Sequence, residues 1–539
     1  MPERSPENVR QLLEAQVARY ADKPFLILES GERQFSYREF DDEVNRAANT
    51  LMELGAAKGD RVSLLLNNRA EYLLFYFACF KIGAWAGPVN SLLKPQEIQF
   101  IVGNSQAKIV VTESSFYQAI KQSCSGIDSL RHVIVVDEVG GHWSVAESSG
   151  QLPVVSDQPD SDAVKALRVA PTSNSEAPGQ LTTDHWPLTT AQDEAVIIYT
   201  SGTTGKPKGV LLTHGNLLSN AKQIAEWLRL TEEDRSLMIM PLFHVNALMT
   251  TCLASLWVGG SVVLAARFSA SRHWESVSRH GITYFGSVAT MLSMLNQAYP
   301  EGVPSGADTS RLRFALCGSA PVPVEVLKTF ESLFHCPVIE GYGLSESTYR
   351  STFNPPDARR RIGSVGLPIG NEVKVFDETD RELGVGEVGE IVLRGPNIMK
   401  GYYKNEAANS EAFRSGWFHT GDLGCQDEDG FFYVVDRKSD MIIRGGENIY
   451  PREIDEVLYQ HPKVQDAATV GVKDDLYGEE VKSFIVLRDG EQASEEEILG
   501  FCSERLADFK CPKSIEFLDE IPKGPTGKLL KRELSSQNQ

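Results

Sequence analysis

Short apolar runs alternate with helical stretches through the first third of this 539-residue chain, and that alternation restricts the fold more than any other feature. Ser36-Tyr37-Arg38-Glu39 is a capping box, its hydroxyl and carboxylate spaced to satisfy reciprocal backbone donors. Phe40, Val44, Ala47, Ala48 and Leu51 follow on one helical face, and Gly55 supplies the stop. Ile109–Thr112 and Val133–Val136 read as buried strands. Further on, a helix ends at His280-Gly281 and Ile282–Phe285 continues as a strand. Repetition of this kind predicts parallel sheets with helices packed over them.

The chain is longer than one hydrophobic core supports, so two or more domains are expected. Residues 140–192 break the pattern: rich in Ser, Pro, Gly, Thr and Asp, they read as a loose surface insert. After Gly366 the texture changes to short, glycine-punctuated strands such as Glu390–Arg394 and Phe431–Val435. From Ile449 a compact α+β segment follows, with a helix over Pro451–Tyr459, strands near Val470 and Phe484, and a helix over Glu495–Leu506. The expected fold class is α/β. A large N-terminal domain holds two α/β subdomains plus a small β-barrel, and a small α+β C-terminal domain follows. The boundary is expected near Asp436–Asp440.

A formal net charge of −20 argues against nucleic acid or anionic lipid as partners. Any anionic small ligand therefore needs a locally basic site. The eight cysteines form no C-x-x-C pair, which speaks against a zinc ribbon or disulfide framework and for reduced thiols in the cytoplasm. The N-terminus lacks the apolar core of a signal peptide, and no S-K-L address closes the chain. Leu237–Ala266 is nearly all apolar, but Pro241, His244, Asn246, Gly259 and Gly260 interrupt it. A buried helix followed by a strand fits it better than a bilayer span.

The strongest chemical signal is Thr200-Ser201-Gly202-Thr203-Thr204-Gly205-Lys206-Pro207-Lys208, set between strand-like runs Val196–Tyr199 and Val210–Thr213. Glycines bring backbone N–H groups close to an anion, hydroxyls add donors and lysines add charge, so the run suits phosphate. It is not a Walker loop. Only Thr203 and Thr204 separate the glycines, and Pro207 after the lysine leaves no magnesium hydroxyl. Gly341-Tyr342-Gly343-Leu344-Ser345-Glu346 follows a strand and delivers an aromatic ring, a hydroxyl and a carboxylate. A carboxylate beside triphosphate suits Mg²⁺, which takes few protein oxygens. Thr420-Gly421-Asp422 and Asp436-Arg437 add an acid suited to ribose hydroxyls and a cation able to reach sugar or phosphate.

In this order the motifs resemble the adenylate-forming superfamily of acyl-CoA synthetases, nonribosomal adenylation domains and luciferases, over nearly the whole chain. The resemblance implies that Thr200–Lys206 hold phosphate and that Cys317-Gly318-Ser319-Ala320-Pro321 and Glu340-Gly341 flank adenine. It implies that Tyr342 stacks on adenine beside Gly343. Ser345, where the family usually has threonine, touches the α-phosphate, and Glu346 binds magnesium. Asp422 is assigned to ribose and Arg437 to ribose or hinge-side contacts.

The same resemblance divides the chain into an AMP-binding domain at 1–436, a hinge at 437–440 and a mobile C-terminal domain at 441–539. Counting from Arg437 puts Ser439 at the hinge position, commonly Asp or Lys in the family. Arg444-Gly445-Gly446-Glu447 resembles acyl-CoA and aryl-CoA ligases; paired glycines admit a thin pantetheine arm, although a strand-to-helix turn before Pro451 explains part of the pattern. Lys528, in Pro525-Thr526-Gly527-Lys528, is the implied catalytic lysine, a mobile charge for the transferring phosphate. His244 falls at the implied acyl pocket. Lys206, Lys208, Arg437, Arg444 and Lys528 supply the locally basic site.

The expected function is an ATP-dependent acyl-CoA ligase using ATP, Mg²⁺ and coenzyme A on a small-molecule carboxylic acid. The alternatives are an enzyme loading a carrier-protein phosphopantetheine and a noncatalytic nucleotide-binding homologue. Whether the acid is fatty, aromatic or dicarboxylic stays open, as does a homodimer.

Overall fold

The structure, a computed structural model, describes residues 5–136, 143–147, 186–200, 207–318, 322–474, 476–524 and 529–536. Two large sheets carry the N-terminal domain. The first has nine strands; those from Pro24–Leu28 through Ser261–Leu264, Arg235–Met238, Tyr284–Ser287 and Phe314–Cys317 to Val338–Tyr342 run parallel. Antiparallel strands, Gln34–Ser36 on one side and Thr352–Phe353 with Leu367–Pro368 on the other, close its edges. The second sheet has eight strands, with a parallel centre of Trp85–Pro88, Arg61–Leu65, Ile109–Glu113 and His132–Val136. Its far edge pairs Glu194–Thr200 with Lys208–Thr213 and then Gly401–Tyr402, all antiparallel.

Local chemistry sets these elements. Ser36 and Glu39 make the expected reciprocal cap on helix Tyr37–Glu53, and Phe40, Val44, Ala47, Ala48 and Leu51 are fully buried along it. Helix Ala70–Ile82 is buried along its whole length, and its two charged side chains are paired, Glu71 with Arg69 and Lys81 with Asp41. The apolar stretch beginning at Leu237 becomes a buried strand end, a π-helix over Ala247–Leu253, a short α-helix over Ala254–Val258 and strand Ser261–Leu264. No helix among the described residues is long and apolar enough to cross a membrane.

Part of the stretch expected to be a loose insert is a strand. Trp143–Glu147 is a strand paired with His132–Val136, and Trp143 packs edge-on against Phe75. One buried aromatic secures five residues that look loop-like in isolation. The stretch from 148 to 185 lies outside the described residues.

The glycine-punctuated region forms a four-stranded antiparallel sheet, Glu372–Phe376, Gly389–Arg394, Phe418–Gln426 and Phe432–Arg437 in that order; no pairing between its edge strands closes it among the described residues. The small C-terminal domain is α+β. Strands Val464–Asp474 and Gly478–Leu487 form its spine, with helix Pro451–Tyr459 against them at the expected position. This domain docks on the large one where Arg452 N donates to Asp436 Oδ2 at 2.9 Å and Val324 N donates to Glu456 Oε2 at 3.4 Å.

Candidate active site

Residues from three sheets meet at the carboxyl end of strand Val338–Tyr342, the end at which parallel α/β sheets present ligand sites. The first sheet supplies Tyr342 and, one turn later, Glu346 on a 3₁₀ turn over Ser345–Ser347. The second supplies Thr200, last residue of its strand, and Tyr402 from the edge strand. The four-stranded sheet supplies Asp422 and, directly across the ladder, Arg437.

These side chains form two connected groups. Tyr342 Oη donates to Asp422 Oδ2 at 2.7 Å, and Arg437 Nε lies 3.2 Å from Asp422 Oδ1. Asp422 is only 5% exposed, so its charge depends on these partners. Tyr402 Oη and Thr200 Oγ1 donate to Glu346 Oε1 at 3.0 and 3.5 Å. Burial pushes the Glu346 carboxyl above its ordinary range, while Tyr402 and Arg437 pull it back. Lys208 Nζ sits 5.0 Å from the centre of the Tyr402 ring. Tyr402 carries no motif, and its place at the site follows only from the pairing of Tyr402 with Val210.

The glycines here are steric requirements. A Cβ on Gly343 would stand 1.8 Å from the Tyr349 carbonyl oxygen, and one on Gly341 would stand 2.4 Å from Phe353. Thr348 closes the turn at φ 65°, an uncommon backbone for a β-branched residue and one that collects at functional sites. Gly318 ends strand Phe314–Cys317 beside the guanidinium of Arg350. Glu340 accepts from Gly363 N at 3.1 Å, and burial pushes its carboxyl up to about 7 against the pull of Arg452 in the small domain.

His244 Nε2 is shielded and finds no partner among the described residues, and burial lowers its imidazole to about 4, so the ring is neutral at physiological pH. Ser439 Oγ donates to Asp440 Oδ1 at 2.9 Å in the turn after Arg437. Gly445 and Gly446 form the tip of a hairpin between Ile442–Arg444 and Glu447–Ile449, both at positive φ, so the motif is a strand-to-strand turn instead of a strand-to-helix one. Arg444 pairs with Glu480 at 2.6 Å, its guanidinium over the Tyr477 ring. Ser201, Gly202, Thr203, Thr204, Gly205, Lys206, Ser319, Ala320 and Lys528 lie outside the described residues.

The donor set fits the expected cosubstrates. Mg²⁺ carried on phosphate oxygens needs one or two protein carboxylates, and Glu346 is a held carboxylate without a cationic ion-pair partner within 4 Å among the described residues. No cluster of three or more His, Cys, Asp or Glu that could hold a metal by itself occurs among them.

A family model described as AMP-binding enzyme matches residues 13–403, and one described as AMP-binding enzyme C-terminal domain matches residues 453–528. The chain belongs to the AMP-binding enzyme family. Within the family it is 35% identical to a sulfoacetate–CoA ligase of Cupriavidus necator, over 98% of this chain and 97% of that one. It is 34% identical to a probable CoA ligase of Humulus lupulus, over 97% and 94%. Among solved members of the family, ATP-bound MatB from Rhodopseudomonas palustris superposes with TM-score 0.83 at 28% identity, covering 98% of this chain and 99% of that one. The o-succinylbenzoate CoA synthetase of Bacillus subtilis, in complex with its acyl-adenylate OSB-AMP, gives 0.80 at 32%, covering 98% of each. The protein is an AMP-forming acyl-CoA synthetase, and ATP, Mg²⁺ and coenzyme A are its cosubstrates and metal.

Proposed function

We propose that the protein activates a small carboxylic acid as its acyl-adenylate and passes the acyl group to coenzyme A within one active site. The observation that carries this reading is the meeting of Tyr342, Asp422 and Arg437 with Thr200, Glu346 and Tyr402 at one strand end. The first three suit a nucleoside, with a ring face, a carboxylate for ribose hydroxyls and a cation near sugar or phosphate. The second three suit metal-bound phosphate, helped by Ser345 and the run Ser201–Lys206.

Glu346 would hold Mg²⁺, with Tyr402 and Thr200 fixing the carboxylate rotamer. Bound Mg²⁺ neutralises phosphate charge and so eases attack of a carboxylate oxygen at the α-phosphorus. Lys528 is proposed to stabilise the charge that develops on the transferring and leaving phosphates. After adenylation the small domain would turn about residues 437–440, with Ser439 at the pivot, and present Arg444-Gly445-Gly446-Glu447 to the pantetheine arm. Nothing among the described residues lies within 4 Å of where a Cβ on Gly446 would be, which leaves room for a thin chain. Neutral His244 would line the acyl side of the thiol's approach.

The test is AMP release from ATP across aliphatic, aromatic and dicarboxylic acids, with and without CoA, for wild type and Lys528→Ala. CoA-dependent AMP and thioester that collapse in the variant are expected. Pyrophosphate release without a CoA thioester would move the acceptor to a carrier protein.

A further inference from the structure

Past the nucleotide-side residues, the carboxyl ends of the parallel strands continue to Gly318, to Gly286-Ser287 and to the loop after Arg235–Met238. Two features there are costly unless something polar completes them. Asn246 is 4% exposed, yet among the described residues neither Oδ1 nor Nδ2 has a hydrogen-bond partner. Its Oδ1 stands 3.6 Å from where a Cβ on Gly286 would be, so the amide faces the space that this glycine leaves free. A buried amide with both ends unmatched is strongly unfavourable in a folded protein.

The second feature is Arg350, which is 1% exposed and makes no ion pair among the described residues. Its Nη atoms donate to the carbonyl oxygens of Gly341 and Cys317 and to the Tyr349 hydroxyl, while Nε has no partner among the described residues. The guanidinium lies against Gly318 and between the rings of Tyr349 and Phe353. Carbonyl dipoles solvate this cation without neutralising it. Gly286, which Asn246 faces, and Cys317, whose carbonyl oxygen accepts from Arg350, stand one register step apart on paired strands, and Asn246 itself caps the π-helix over Ala247–Leu253. Irregular helices of this kind recur at functional sites.

We propose that the acyl pocket is built for an acid with a second, anionic group at its far end, held directly by the Asn246 amide and balanced by the charge of Arg350. The inference rests on the ligase reading above and names the substrate class of that same site. Methyl-terminated chains would leave Asn246 unmatched.

The experiment measures kcat/KM for CoA-dependent AMP formation with acids of equal length ending in methyl, carboxamide or carboxylate. Wild type should favour the carboxylate-ended acid over the methyl-ended one by at least about tenfold, the scale of one unmatched buried polar group. In Asn246→Leu that ratio should invert, and the gain on methyl-ended acids reports a folded enzyme. In Asn246→Asp it should fall by roughly tenfold or more through like-charge repulsion. A wild-type preference for the methyl- or carboxamide-ended acid, or ratios unmoved in both variants, would overturn the proposal while the ligase reading stands. No thioester from any acid would overturn both.

Discussion

Tyr342 and Asp422, eighty positions apart in the chain, are joined by a 2.7 Å hydrogen bond from the phenol to the carboxylate. With Arg437 on the other oxygen, Asp422 is fixed before any nucleotide arrives. Tyr342→Phe keeps the ring and removes that donor, at about 1 kcal/mol for a hydrogen bond of this kind. KM for ATP should rise roughly fivefold with a much smaller change in kcat, as steady-state kinetics would read. An unchanged KM would remove Asp422 from nucleotide binding.

Tyr402 donates to the carboxylate of Glu346, the residue proposed above to hold Mg²⁺. Tyr402→Phe should raise the Mg²⁺ concentration for half-maximal activity by about tenfold, the usual scale for loss of a partner behind a metal ligand. Glu346→Gln should raise it further and lower the plateau. Titration of AMP release with MgCl₂ distinguishes the two.

The turn that carries these residues is sterically closed. Because a Cβ on Gly343 would overlap the Tyr349 carbonyl oxygen at 1.8 Å, Gly343→Ala should cost about 3 kcal/mol or more as backbone shifts to make room. Urea denaturation of the variant should give a clearly lower midpoint, and a wild-type midpoint would contradict this packing.

Glu340 gives stability a pH dependence of defined sign. Its folded carboxyl is raised from 4.5 to about 7, so between those values the native chain binds the proton that the unfolded chain has lost. Stability therefore falls as pH rises through that window and levels off above it, by about 3 kcal/mol at most. Glu340→Gln keeps an acceptor for Gly363 N and removes the titration. The melting temperature of the variant should exceed that of wild type at pH 8, with the gap shrinking at pH 5.

Much of this was legible in the chain itself because it depends on near neighbours. The capping box at Ser36–Glu39, the helix over Pro451–Tyr459 and the paired strands around the phosphate-type run follow from spacing, propensity and turn chemistry within a few residues. Tyr342, Glu346, Asp422 and Arg437 likewise stood out through motifs, and the structure brings Tyr342, Asp422 and Arg437 into contact. Composition misled at Trp143–Glu147, where a buried ring outweighs a polar neighbourhood.

What the tertiary structure alone decided is which of these groups meet. The contact of Thr200 with Glu346, 146 positions away, requires two sheets to present strand ends to each other, and no local period encodes that. Tyr402 joins the site through one antiparallel pairing, and Asn246 and Arg350 gain meaning only from burial, the amide without a hydrogen-bond partner among the described residues and the guanidinium held by carbonyl oxygens. Side-chain type and short-range order are written in the sequence, whereas burial and convergence emerge from how distant strands are ordered in a sheet.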